Sequence, residues 1–197
     1  MLKLYIGNKN YSSWSMRPWV LMRQAGINFE EVTLRFDSFA PDSSFKQQAL
    51  TLSPTGKVPL LVDEGLVIWD SLAICEYLAE RFADKHLWPQ SVAQRARARS
   101  LVAEMHSSFG ALRRLCPMNI EAQLHEVGAR LWAEHADLRD DVKQLENLWL
   151  PQLAAASGPM LFGQFSIADA FFAPVCMRLT SYGLPASDAV RSYVQRI

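Results

Sequence analysis

At 197 residues, half of them hydrophobic, the chain has room for one large domain or two small ones, each with its own core. Twenty basic residues balance twenty acidic ones, so it carries no electrostatic footprint for nucleic acid or an anionic membrane surface. The expected partner is a small ligand held by local contacts. The opening run Met1–Ile6 is too brief for a signal peptide and no later apolar run approaches membrane-spanning length, so a soluble cytoplasmic protein is expected.

Residues 2–6 read as a short strand. The loop Gly7-Asn8-Lys9-Asn10 follows, then Tyr11-Ser12-Ser13-Trp14-Ser15-Met16-Arg17-Pro18-Trp19, which crowds hydroxyls at the entrance of a helix expected over 15–25. Next come a strand at 29–34, a helix near 42–52, strands at 59–62 and 66–68, and a helix at 71–82, in the order β-α-β-α-β-β-α. From Trp88 onward the grammar changes. Segments rich in Ala, Leu, Arg and Glu predict helices over 91–115, 121–155, 166–180 and 186–197, with Pro151 and Pro174 as kinks or breaks. The polar junction Ala83-Asp84-Lys85-His86-Leu87-Trp88-Pro89 marks a boundary. The fold class is therefore α/β followed by all-α, with units over 1–82 and 88–197.

The stretch from Gly56 to Ser71 carries the densest chemistry. A proline opening a strand has no amide for the ladder, which leaves the preceding Val58 backbone able to pair with an extended peptide ligand. Leu60-Leu61-Val62 run on as in a strand buried on both faces, and Glu64-Gly65 suits a hairpin turn. Asp70 and Ser71 stand at a helix start. There a carboxylate and a hydroxyl beside exposed amides can hold the ammonium and carboxylate of one alpha-amino-acid group, or one of the two side chains caps the helix.

The hydroxyls at the first helix entrance suit an anion; the alternative is that Ser12, Ser13 or Ser15 is a cap. No glycine-flanked serine elbow with a histidine and an acid is present, so Ser12 reads as a hydrogen-bond donor rather than a nucleophile. A ligand thiol has an ordinary pKa of about 8.5, and lowering it by about two units takes about 2.7 kcal/mol of preferential thiolate stabilisation. One charge-assisted hydrogen bond at about 1.5–3 kcal/mol and a helix terminus at about 0.3–1 kcal/mol reach that range.

Cys75, Cys116 and Cys176 are odd in number, far apart and embedded in apolar patterns, which predicts buried thiols without disulfides. His86, His106, His125 and His135 lack metal-ligand spacing, so no metal is expected. Ser166-Ile167-Ala168-Asp169 fits a capping box, which gives Asp169 a folding role worth about 1 kcal/mol.

Taken together, Ser12 five residues before Arg17, Lys57-Val58-Pro59, Asp70-Ser71 and the Ser166-to-Asp169 box resemble the cytosolic glutathione S-transferase family over essentially the whole chain. The resemblance implies a thioredoxin-like domain followed by a helical domain that contributes the acceptor-substrate pocket. It further implies a cis Pro59, Val58 pairing with the cysteinyl unit of glutathione, Asp70 and Ser71 holding the gamma-glutamyl end, and Lys57 assisting. Ser12 stands where the serine branch of the family places its thiolate-stabilising hydroxyl. Ser12-Ser13-Trp14-Ser15-Met16-Arg17 is similar to the zeta-class Ser-Ser-Cys-Ser-x-Arg signature, but Trp14 replaces the cysteine, which counts against maleylacetoacetate-type isomerisation. Asp70 replaces the Glu of many members, a shorter arm with the same charge.

By the same resemblance the reaction is attack of the glutathione thiol on a small hydrophobic electrophile or peroxide, in a homodimer. The alternative is a non-catalytic glutathione-binding or protein-interaction module of the same fold. Met105, Phe109 and Leu112 are expected to present one helix face to the electrophile, with Trp14 opposite and Arg113 or His106 at the rim. The chain stops within a helical pattern at Ile197, whereas members of the family often continue, so residues closing the acceptor pocket are expected to lie beyond it.

Overall fold

The computed structural model describes residues 1–38 and 40–197, which divide into two units, Met1–Leu87 and Trp88–Ile197. The first holds β1 (Lys3–Ile6), α1 (Ser13–Gln24), β2 (Glu30–Thr33), α2 (Ser44–Leu52), β3 (Leu60–Asp63), β4 (Leu66–Trp69) and α3 (Ser71–Arg81). Its sheet runs in the order β2-β1-β3-β4. β1 and β2 are parallel, with Lys3 beside Glu30, a pairing that needs a crossover and receives α1. β1 and β3 are antiparallel, with Leu4 beside Leu61. The β3–β4 hairpin turns at Glu64 and Gly65, whose φ values of 48° and 92° suit the right-handed twist of the two strands.

The uninterrupted apolar run of β3 reflects its central place, and Leu60 and Leu61 have no exposed surface. α1 contributes Leu21 and Met22 to the core, and α3 contributes Ile74, Cys75 and Leu78. A second cluster joins Leu34, Phe45 and Ala49, with Tyr5, Phe36, Leu52 and Val58 packed against it. This is the thioredoxin-like arrangement.

The second unit contains α4 (Val92–Ser107), α5 (Gly110–Leu115), α6 (His125–Glu134), α7 (Ala136–Ala155), α8 (Ile167–Tyr182) and α9 (Asp188–Val194). α8 is buried without interruption from Ile167 to Cys176 and packs against α4, α6 and α9, as a helix apolar on every side must. The box that opens α8 is formed, and Asp169 does more than close it. Its Oδ2 accepts from the Ser166 amide and hydroxyl, both at 2.9 Å, and its Oδ1 from the Leu161 amide at 3.1 Å and the Tyr193 hydroxyl at 2.9 Å.

Two long helices read from the sequence are each broken. The run over 91–115 stops at Ser107 and restarts at Gly110, because Phe109 adopts the left-handed region at φ 60° and the Leu112 amide of the new helix is held by Asp141 of α7 at 2.8 Å. The run over 121–155 begins only at His125, where the amide of the N-cap residue Leu124 donates to the Ser181 carbonyl of α8, and divides at His135, which is extended. Pro151 and Pro174 lie inside α7 and α8 and end neither. All three cysteines are buried and free. Burial pushes the Cys116 thiol up to about 11 and the other two further. Among the described residues no helix is long and apolar enough to cross a membrane, and no group of three or more His, Cys, Asp or Glu side chains is placed to hold a metal ion.

Candidate functional site

The loop after β1 turns on Asn8, whose carbonyl accepts from the amides of Tyr11 at 3.1 Å and Ser12 at 2.8 Å. That turn sets Ser12 at the N-cap position of α1, yet its hydroxyl caps no amide of the helix. It donates instead to Ser15 Oγ at 2.8 Å, which also accepts from the Gly7 amide at 3.1 Å. Ser12 lines a cavity of about 350 Å³ in the first unit, together with Ser13, Trp14, Lys57 and Val58. Of the two roles open to Ser12, capping is not the one its hydroxyl fills.

The rest of the lining includes residues that no local sequence signal marks. Phe36 and Phe45 meet edge to face at 4.8 Å, and Tyr11, Lys46 and Gly56 complete the lining. Lys46 Nζ donates to the carbonyls of Thr55 and Gly56, both at 3.1 Å, which fastens α2 to the loop carrying Lys57 and Val58. A side chain at Gly56 would press on Lys46 Nζ and Leu50, and its φ of 55° is one that glycine adopts freely. Only a long-range contact, Lys46 with two carbonyls nine and ten residues on, would have revealed this part of the lining.

The Val58–Pro59 peptide is cis. Val58 precedes β3 and makes no backbone hydrogen bond among the described turns, loops and caps. Leu60 pairs with Trp69, so the register continued by one residue sets Pro59 beside Asp70, at the same sheet end as the cavity. Asp70 is the N-cap of α3: its Oδ1 accepts from the Leu72 amide at 2.8 Å and the Ala73 amide at 3.4 Å. Its φ of 74° is costly for a residue with a Cβ. Ser71 is 1% exposed, and its hydroxyl has no hydrogen-bond partner among the described residues.

Ser12, Lys57 and Val58 thus line one cavity, whereas Asp70 and Ser71 stand at the mouth of α3 outside its lining. The single helix face expected from Met105, Phe109 and Leu112 is not formed. Met105 lies on α4, Phe109 in the break and Leu112 on α5, and all three are buried. The electrostatics of the first-unit cavity favour an anion: the α1 N-terminus, Lys46 and Lys57 border it. The buried Arg17 places its guanidinium carbon 3.8 Å from the centre of the Trp14 ring.

A βαβ half with a mixed four-stranded sheet, a cis proline before the third strand and an all-helical second unit define a thioredoxin-like protein with a helical extension. The family model described as glutathione S-transferase, N-terminal domain, matches residues 11–81. The chain is 30% identical over 190 residues to Glutathione S-transferase 1 of Dianthus caryophyllus, covering 95% of this chain and 81% of that protein. It is 28% identical over 160 residues to a stringent starvation protein A homolog of Histophilus somni, covering 78% and 69%. Among solved structures, a Burkholderia glutathione transferase homolog with bound glutathione superposes with a TM-score of 0.73 at 25% identity, covering 99% of this chain and 90% of that one. The chain belongs to the glutathione S-transferase family.

Proposed function

We propose that the chain is a serine-type glutathione transferase, working as a cytoplasmic homodimer, with glutathione as co-substrate and a small hydrophobic electrophile or peroxide as acceptor. The observation that carries this reading is the Ser12 hydroxyl, set at the mouth of α1 on a cavity wall and not spent on capping the helix. Facing a thiol, it donates to the sulfur and, with the α1 terminus, favours the thiolate. The thiol proton leaves to solvent, and Ser12 keeps its own.

The peptide backbone of the ligand has Val58 to pair with, and Lys57 supplies a cation in the lining of the same cavity. The buried, unpartnered Ser71 hydroxyl is the kind of group that a ligand carboxylate satisfies. Asp70 accepts from two amides with Oδ1, and a carboxylate has capacity on its two oxygens to hold an ammonium as well.

Ultraviolet titration of bound glutathione tests the role of Ser12. The intact protein should show thiolate absorbance well below the solution pKa of the thiol. Ser12→Ala should return that pKa upward by about one to two units, with glutathione still bound. An unchanged titration removes Ser12 from the mechanism. A low thiol pKa without turnover of any electrophile would favour the rival reading, a glutathione-binding module of the same fold.

A further inference from the structure

We infer that Ser15, which lies behind Ser12 and outside the cavity lining, is a positioning residue that relays the Gly7 backbone dipole through Ser12 to the bound sulfur. This rests on the thiolate-stabilising role proposed for Ser12.

Ser15 is 2% exposed. Its Oγ receives the Gly7 N–H at 3.1 Å and the Ser12 O–H at 2.8 Å. A serine hydroxyl has two acceptor sites and one proton to donate. Both acceptor sites are filled, and no acceptor for the Ser15 proton stands among the hydrogen bonds of the described residues. The resting network thus ends on a buried donor without a partner, while Ser12 Oγ, 2.8 Å away, keeps lone pairs that a turn of its O–H would bring toward Ser15.

An arriving thiolate resolves this. Ser12 turns its O–H toward the sulfur, Ser15 turns its O–H toward Ser12 Oγ, and every donor finds an acceptor. The chain then runs Gly7 N–H to Ser15, Ser15 O–H to Ser12, Ser12 O–H to sulfur. No proton leaves either serine, and one Ser12–Ser15 hydrogen bond exists before and after, so turning Ser12 toward the ligand forfeits nothing. Hydrogen bonds aligned in this way polarise one another.

The head of the relay is fixed. Gly7 follows β1, and a Cβ there would lie 2.2 Å from the Phe36 ring. Phe36 in turn donates its amide to Asn8 Oδ1 at 2.8 Å, so the segment that supplies the first donor is held on both sides.

The test compares wild type, Ser15→Ala, Ser15→Thr and Ser12→Ala, measuring the pKa of bound glutathione by ultraviolet absorbance and its Kd by calorimetry. Ser15→Ala should raise the bound thiol pKa by about 0.5, about a threefold loss of thiolate at acidic pH, and Ser15→Thr, which keeps the hydroxyl, should retain the wild-type value. A purely structural Ser15 would alter Kd or melting temperature and leave the thiol pKa in place. A wild-type pKa in Ser15→Ala, or a rise in Ser15→Thr equal to that in Ser15→Ala, overturns the relay alone. A wild-type pKa in Ser12→Ala overturns the reading of Ser12 and the relay with it. Should Ser15→Ala fail to fold, Ser15→Cys fills the space with a weaker donor and acceptor; a raised thiol pKa supports the relay and a wild-type one overturns it.

Discussion

Ser12 and Asp70 both occupy N-cap positions, and their side chains behave in opposite ways. Asp70 bends its carboxylate onto two amides of α3, whereas the Ser12 hydroxyl leaves the α1 amides and bonds to Ser15. Residue type alone leaves both roles open at each position, because a cap and a ligand contact need the same hydroxyl or carboxylate at the same place. What separates them is Gly7, whose amide draws Ser15 Oγ into line and gives Ser12 an acceptor. Asp169 shows the converse. The Ser-x-x-Asp spacing makes its capping legible, but the donors from Leu161 and Tyr193 come from outside the box. Asp169→Ala should therefore cost about 3–5 kcal/mol rather than the 1 kcal/mol of a simple cap, since four donors lose their acceptor in a buried site. Urea unfolding measures this, and a loss below about 1.5 kcal/mol would show that the extra donors find other partners.

At the scale of elements, α2 illustrates how a cavity wall is held by a group outside its helix. Ser43 caps Lys46, and Asp37 accepts from the amides of Ser44 at 2.9 Å and Phe45 at 3.1 Å. The Phe45 and Ser38 amides, followed by that of Ser44, hold the Asp37 carboxyl below its usual range. A lowered pKa in the folded state means that the stabilisation is fully present above the ordinary carboxylate value of about 3.9 and is lost as pH falls through the lower folded value. The stability difference between wild type and Asp37→Asn, from urea titrations at a series of pH values, should therefore be largest near neutrality and shrink in acid. A difference that stays constant with pH would dismiss the carboxylate as the source. The same dependence on distant partners explains which helix boundaries were legible. α1, α2 and α3 follow loops punctuated by glycine, serine, proline or aspartate, and their limits agree with the sequence pattern to within about two residues. The break at Phe109 was missed although Ser108 and Gly110 flank it, and the one at His135 has no glycine, serine or proline beside it. Asp141 of α7 claims the Leu112 amide in the helix after the first break, and Ser181 of α8 claims the Leu124 amide where α6 begins; a periodic pattern cannot report a bond 29 or 57 residues away.

Across the whole molecule, the residues proposed to meet glutathione fall in the first unit, while the longest uninterrupted buried helix, α8, falls in the second. That division was readable because the two halves bury their apolar residues with different periods. The cavity itself was only partly readable: Ser12, Lys57 and Val58 stood out through their motifs, but Phe36, Phe45 and Lys46 reach it only through tertiary packing. Ligand binding should divide along the same line. At about 100 times its Kd, glutathione should stabilise the unit that binds it by about 2.7 kcal/mol. In hydrogen–deuterium exchange, the slowing should concentrate at the α1 entrance, the segment from Gly56 to Val58 and the first turn of α3, since those backbones border the proposed site. α8 amides should slow only as far as the two units unfold together. Slowing confined to Trp88–Ile197 would place the ligand elsewhere, whereas protection at α1 and Gly56–Val58 without any at α3 would detach Asp70 and Ser71 from the glutamyl end and leave the Ser12 assignment standing.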